Sequence, residues 1–257
     1  MSTQHSKAHL REKNIPIQTV AQFTTRGKYS SQEDFVLMDR QKGILVLADG
    51  FGGPVAGAEA AKQSCEAVRS FLFKEAGDLE ATLPFILRTY FSLAGNVLFN
   101  SLIHANRILK KFNKNKNINE KGGASVVAGF VDGDLLALAN VGSCSAWLIR
   151  GGEKTELVIP RSFARLQDPF RPKLRAEFQA PMIALGMSED LEPEIFEYKL
   201  KPKDWLILVS DGVPESVLSF IQTLQQKPFS ESALTQVKDA LNSSSPVDNA
   251  TLCVVVF

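Results

Sequence analysis

Only three cysteines, three histidines and a net charge of +1 stand in 257 residues, and each scarcity closes off a class of protein. Cys65, Cys144 and Cys253 are odd in number and widely spaced. They fit neither a disulfide framework nor a zinc site and read as buried thiols of a reducing compartment. His5 and His9 lie in the tail and His104 sits in a predicted helix without a partner, so none of the three is given a role. The balanced charge gives no global attraction to nucleic acid or to an anionic membrane. Lys110 to Lys121 is locally basic but lacks interleaved aromatics and arginines; it reads as a solvated connector. The longest apolar candidate, Phe85 to Leu102, is interrupted by Arg88, so no membrane span is expected. Met1 to Asn14 is polar, without the apolar core of a signal peptide. A cytoplasmic protein with a loose tail over 1–15 and one domain over 16–257 is expected.

What the chain does contain is a recurring junction of an apolar run and an acid. Ile44 to Ala48 reads as a buried strand that stops at Asp49-Gly50, followed by a turn at Gly52-Gly53-Pro54 and an alanine-rich helix from Ala56 to Lys74. Trp205 to Ser210 is a second apolar run ending in Asp211-Gly212. Asp248-Asn249 precedes a third, Ala250 to Phe257, and Glu33-Asp34 opens a fourth. One Asp-Gly is an ordinary turn dipeptide. Acids at the ends of four strands point to a carboxylate cluster, if the fold brings those ends together. A dinucleotide loop is excluded, because the third glycine position of Gly-x-Gly-x-x-Gly falls on Val55 and Asp49 would repel a pyrophosphate.

The remaining elements follow from periodicity and turn signals. Ile17 to Phe23 reads as a strand with a turn over Thr24 to Gly27, and Phe35 to Met38 as another strand. Helical spacing predicts one helix over Ala81 to Phe112. Ser125 to Val131, Leu135 to Val141, Ser145 to Arg150 and Thr155 to Ile159 are β-rich. The hairpin signals Asp132-Gly133-Asp134, Gly142-Ser143 and Gly151-Gly152 separate them. Such turns make antiparallel neighbours. Arg161 to Ala180 reads as irregular, and Met182 to Gly186 as the start of an ordered element. Glu194 to Leu200 is predicted as an edge strand, and Pro214 to Gln226 and Ser230 to Asn242 as helices. The order gives an α+β fold with two packed sheets covered by helices.

Seven motifs, in order from Gly27 to Phe257, resemble those of the metal-dependent serine/threonine protein phosphatases of the protein phosphatase 2C type. They are Glu33-Asp34, Asp49 to Gly53 with Gly57 to Ala60, and Gly122-Gly123-Ala124-Ser125. Asn140 to Ser143, Ala184-Leu185-Gly186, Ser210-Asp211-Gly212 and Asp248 to Thr251 complete them. The resemblance implies a four-layer sandwich of two antiparallel sheets flanked by helix pairs, with two Mn²⁺ or Mg²⁺ ions at one end. It implies that Asp49 bridges both ions, that Asp211 and Asp248 complete one site, and that Glu33 with the Gly50 carbonyl holds the other. Asp34 would orient a metal-bound water, and Asp49, Asp211 and Asp248 would carry catalysis on a phosphorylated protein substrate by a monomeric enzyme. Oxygen donors suit those hard cations, and the absence of a Cys-x5-Arg loop agrees with a metal route.

This sequence departs from the family pattern in four places. Where many members carry a phosphate-gripping arginine, counting back from Glu33-Asp34 gives Tyr29 or Ser30; Arg26 is nearby but is expected to point elsewhere. Ser143 replaces an aspartate that binds a third, weaker metal, and Phe51 replaces a histidine or methionine. Between Ile159 and Met182, Arg161, Arg165, Arg171, Lys173 and Arg175 outnumber Asp168 and Glu177. That segment reads as a solvated loop, with recognition of an acidic partner as its functional alternative. These departures leave a second reading open, a weak or inactive relative that binds a phosphorylated or regulatory partner.

Overall fold

The computed structural model describes residues 15–75, 87–168, 180–226 and 230–257. Two five-stranded, wholly antiparallel sheets form its centre. The first contains β1 (Thr19–Thr25), β10 (Ala250–Val256), β9 (Trp205–Val209), β6 (Ser145–Arg150) and β7 (Glu153–Val158), in that spatial order. The second contains β2 (Asp34–Asp39), β3 (Ile44–Phe51), β4 (Gly123–Asp132), β5 (Leu135–Val141) and β8 (Glu194–Lys199). Helices α1 (Pro54–Glu75) and α2 (Leu93–Asn113) cover the second sheet, and α4 (Glu215–Gln225) and α5 (Glu231–Ser243) cover the first; α3 (Phe163–Gln167) is a short turn of helix after β7.

The alternation of side chains along each strand builds three apolar layers. In β3, Ile44, Val46 and Ala48 pack under α1 and α2, while Leu45 and Leu47 face the other sheet. All five are buried, each leucine worth roughly 1.5–3 kcal/mol. The middle layer also takes Val36 and Met38 from β2, Val127 from β4, Leu206 and Leu208 from β9, and Cys253 and Val255 from β10. Followed to one end, those same inward rows become polar: Asp34 on β2, Asp49 on β3, Ser125 on β4, Ser210 after β9 and Thr251 on β10. The registers Asp34↔Asp49 and Asp49↔Ser125 set three of them side by side. The other two are joined by a bond from the Thr251 amide to Ser210 Oγ at 2.9 Å.

Several sequence expectations are corrected. β3 does not stop at Asp49; it runs through Asp49 and Gly50 to Phe51, because β4 pairs with all three. β1 begins and ends two residues later than expected, since Thr24 and Thr25 still pair with β10. The predicted helix over 81–112 starts only at Leu93. Ser92 caps it, accepting from the Gly95 amide, and the Asn96 side chain bonds the Arg88 amide and carbonyl, holding 87–92 outside the helix; residues 81–86 lie outside the described residues. Gly142-Ser143 is not a hairpin turn. β5 and β6 belong to different sheets, and Gly142, at φ 100°, turns the chain from one to the other. Met182 to Gly186, expected as the start of an ordered element, meets β4 through the isolated bridge between Leu185 and Ala124. The tail expected over 1–15 lies outside the described residues except for Ile15, which is buried.

Candidate functional site

The polar end of the middle layer opens into a cleft of ≈ 360 Å³. Glu33 and Asp49 reach it from the β2–β3 side, and Asp211 and Asp248 from the loops after β9 and before β10. Gly50, Ser125, Ser143, Asn249, Tyr29 and Phe51 complete most of its lining. Both sheets therefore contribute two carboxylates to one opening. No lysine, arginine or histidine among the described residues lines it.

Tight backbone approaches hold these acids in place. Gly50 has no room for a Cβ, which would strike the Gly57 carbonyl, and a Cβ on Gly57 would strike the Glu33 carboxylate. Glu33 is fixed along its main chain: its amide donates to Asn249 Oδ1 at 2.6 Å, and its carbonyl accepts from the Gly50 amide at 3.1 Å. The Asn249 amide donates to Asp248 Oδ1 at 2.7 Å. Gly27, at φ 58°, lies against the Asp248 carbonyl, and the Lys28 amide donates to Val247, so the 26–33 loop rests on the loop that carries Asp248.

Burial and mutual repulsion shape the protonation of the cluster. Asp49 is raised well above the usual carboxylate range, first by burial and then by Asp211, Asp34 and Asp248. Glu33 is raised by burial, with Asp248 adding and Ser31 opposing. Asp34 is pushed up to about 7 by burial, with Asp211 and Asp248 adding, although Thr251 and Ser210 stabilise its charge. Ser210 Oγ donates to Asp34 Oδ2 at 2.8 Å, whereas Asp34 Oδ1 is buried with no hydrogen-bond partner among the described residues.

This donor set fits a hard divalent cation: carboxylates and a backbone carbonyl line the cleft, with no sulfur or imidazole among the described lining residues. The acids line facing walls. Among the described residues, no three His, Cys, Asp or Glu side chains are gathered into a ready-made cage for one ion.

The structure brings Glu33, Asp49, Gly50, Asp211 and Asp248 into the cleft, while Asp34 sits behind it, only 7% exposed. Of the two positions that counting leaves open, Tyr29 lines the mouth. The Arg26 guanidinium turns away and donates to the Ser30 carbonyl at 2.9 Å. Ser143 Oγ lies 3.0 Å from Ser125 Oγ. In the basic segment, Arg165 pairs with Glu156 at 2.5 Å, and Arg161 stands 3.7 Å from Glu194; Arg171, Lys173 and Arg175 lie outside the described residues. His104 packs its ring against Phe71. Sequence reasoning missed the roles of Asn249, Ser210 and Thr251. Their only signal was adjacency to acids already singled out, since their partners lie far away in the chain.

No family model matches the chain. It is 29% identical over 220 residues to the serine/threonine protein phosphatase PstP of Mycobacterium tuberculosis, covering 82% of this chain and 40% of that protein. Among solved structures, the serine/threonine phosphatase Stp1 of Staphylococcus aureus superposes with a TM-score of 0.76 at 20% identity, covering 100% of this chain and 99% of that one. The catalytic domain of PstP in complex with two manganese ions gives a TM-score of 0.72 at 23% identity, with 93% and 98% coverage. In sequence the chain is similar to a bacterial serine/threonine protein phosphatase, and its fold is the one seen in solved structures of such enzymes.

Proposed function

We propose that this chain hydrolyses phosphoserine and phosphothreonine in proteins, using two Mn²⁺ or Mg²⁺ ions held in the acidic cleft. The observation that carries this reading is the meeting of Glu33, Asp49, Asp211 and Asp248 in a cleft that no cationic side chain among the described residues lines. The likeness to PstP, whose catalytic domain has been seen with two manganese ions, supports it.

In this reading Glu33 and the Gly50 carbonyl would hold one ion and Asp211 and Asp248 the other, with Asp49 available to both. Bound there, the pair supplies an acidified water and neutralises the charge of a phosphoryl group. Asp34 orients a water through its Oδ1, kept in place by Ser210 on its other oxygen. With no ion in the cleft, burial pushes that carboxyl up to about 7; cations held beside it would favour its charged form. The neutral hydroxyls of Tyr29, Ser125 and Ser143 line the space left for the substrate phosphate. Phosphate recognition then rests on the cations more than on any guanidinium. We place the protein in the cytoplasm, where its buried thiols Cys65, Cys144 and Cys253 stay reduced. It acts there as a monomer in phosphorylation signalling.

A second reading draws on Tyr29 and Ser143: without a phosphate-gripping cation in the described cleft, the chain serves as a binding module for a phosphorylated partner. Phosphate release from a phosphothreonine peptide, measured with Mn²⁺, with Mg²⁺ and with EDTA, separates the two. Turnover abolished by EDTA supports the phosphatase. No turnover with two ions still bound by calorimetry supports the module, and no metal binding defeats both.

A further inference from the structure

Asn249 touches both halves of the acidic cluster. It opens the loop into β10 of the first sheet, and its amide donates to the carboxylate of the neighbouring Asp248 at 2.7 Å. Its side chain crosses to the segment that leads into β2 of the second sheet. There Oδ1 accepts from the Glu33 amide at 2.6 Å, and Nδ2 donates to the Arg26 and Ser31 carbonyls at 3.0 Å each. The Asn249 carbonyl occupies the space a Gly212 Cβ would need, so the turn after Asp211 seats against it as well. The side chain is 5% exposed and uses its acceptor and its donor group together.

Glu33 itself lies outside any strand, just before β2. Its main chain is tied to the second sheet by the Gly50 amide and to the first by Asn249. Without Oδ1, the Glu33 amide would lose its tie to the first sheet. Asp248, in the loop before β10, would keep the bond from the main-chain amide of residue 249. A buried amide that bridges two walls sets their spacing more firmly than a long or charged side chain, because its groups are planar and fully used.

We propose that Asn249 is a positioning residue that couples the Glu33–Gly50 half of the cleft to the Asp211–Asp248 half, so that one side chain determines the affinity of the Glu33-side cation. The inference rests on the two-cation reading of the cleft and adds to it a residue whose side chain acts through the main chain of Glu33.

Calorimetric titration of Mn²⁺ into the full chain tests it. In Asn249→Ala, one of the two affinities falls by about 10- to 100-fold, while the other stays within about 2-fold. In a Glu33→Gln background, where the ligand that Asn249 positions is already impaired, adding Asn249→Ala changes Mn²⁺ affinity by less than about 2-fold, as expected of residues acting as one unit. Fully additive losses, or an equal fall at both sites, would overturn the proposal. If Asn249→Ala has no cooperative thermal transition, Asn249→Asp carries the test, since it keeps the Oδ1 acceptor but sets an anionic oxygen against the Arg26 and Ser31 carbonyls. A fall in affinity at one site only supports the proposal there, and an equal fall at both sites, or none at either, overturns it. A wild-type chain that binds no Mn²⁺ overturns the cation reading itself, and this inference with it.

Discussion

Asp34 and Asp49 face each other across the β2–β3 ladder on the inner surface of the same sheet, yet their surroundings differ. Asp49 lines the cleft, whereas Asp34 lies behind it with one oxygen held by Ser210 and the other without a hydrogen-bond partner among the described residues. Two carboxylates at one ladder position repel each other. Burial raises the proton affinity of both; repulsion from Asp211, Asp34 and Asp248 adds to it at Asp49, and repulsion from Asp211 and Asp248 adds to it at Asp34.

The sign of the pH dependence follows from Asp34. Its ordinary value is 3.8 and its folded value is about 7, so between the two the folded chain holds a proton that the unfolded chain has lost. This group's contribution to stability is full below the lower value and is lost as pH rises through the upper one. In EDTA, the thermal midpoint of the wild type should fall from about pH 4 to about pH 8 by more than that of Asp34→Asn. A wild type and variant with parallel pH profiles would count against the assignment.

Asp49→Asn removes one charge from the cluster and keeps the shape of the side chain. Mn²⁺-dependent turnover of a phosphothreonine peptide should fall at least the ~100-fold that loss of an outer-sphere partner alone can cost. The thermal midpoint in EDTA should hold or rise, because a buried repulsion with Asp211 and Asp34 is relieved. Retained turnover would remove Asp49 from the site.

Gly57 lies inside α1 with no space between it and the Glu33 carboxylate. Gly57→Ala returns about 1 kcal/mol of helix propensity while pushing Glu33 out of place. Mn²⁺ affinity by calorimetry should fall roughly 10-fold with little change in thermal midpoint. Unchanged affinity would mean that Glu33 is not a ligand.

Tyr29, 56% exposed, is the side chain at the mouth where a cation would serve a phosphate. Tyr29→Arg should lower KM for p-nitrophenyl phosphate by roughly 10-fold, the scale of one charge-assisted hydrogen bond. Tyr29→Phe should leave it near the wild-type value. An unaltered KM in Tyr29→Arg would place the substrate phosphate away from this residue.

Much of the fold was legible because it is local. Alternation in the β-rich middle, the glycine turns at 132–134 and 151–152, and the apolar runs ending at Asp49 and Ser210 all express their structure within a few residues. The helix start at Leu93 was not legible, since the capping by Ser92 and the Asn96 bonds compete with a helical apolar pattern that continues upstream of it. The crossing at Gly142 was not legible either. A Gly-Ser dipeptide turns the chain equally well into a hairpin or across to another sheet, and the choice lies in which middle-layer residues β5 and β6 pack against.

By itself the sequence determined the identity and order of the acids, the oxygen-only character of the donor set and the α+β alternation, because residue type and spacing carry those directly. Only the tertiary structure decided that strand ends from two separate sheets meet in one cleft, that Asp34 lies behind it, that Tyr29 instead of Ser30 faces it, and that Asn249 ties its walls together. The reason is physical. Glu33 and Asn249 are 216 residues apart along the chain, and a hydrogen bond over that separation exists only once the apolar middle layer has brought the two sheets together.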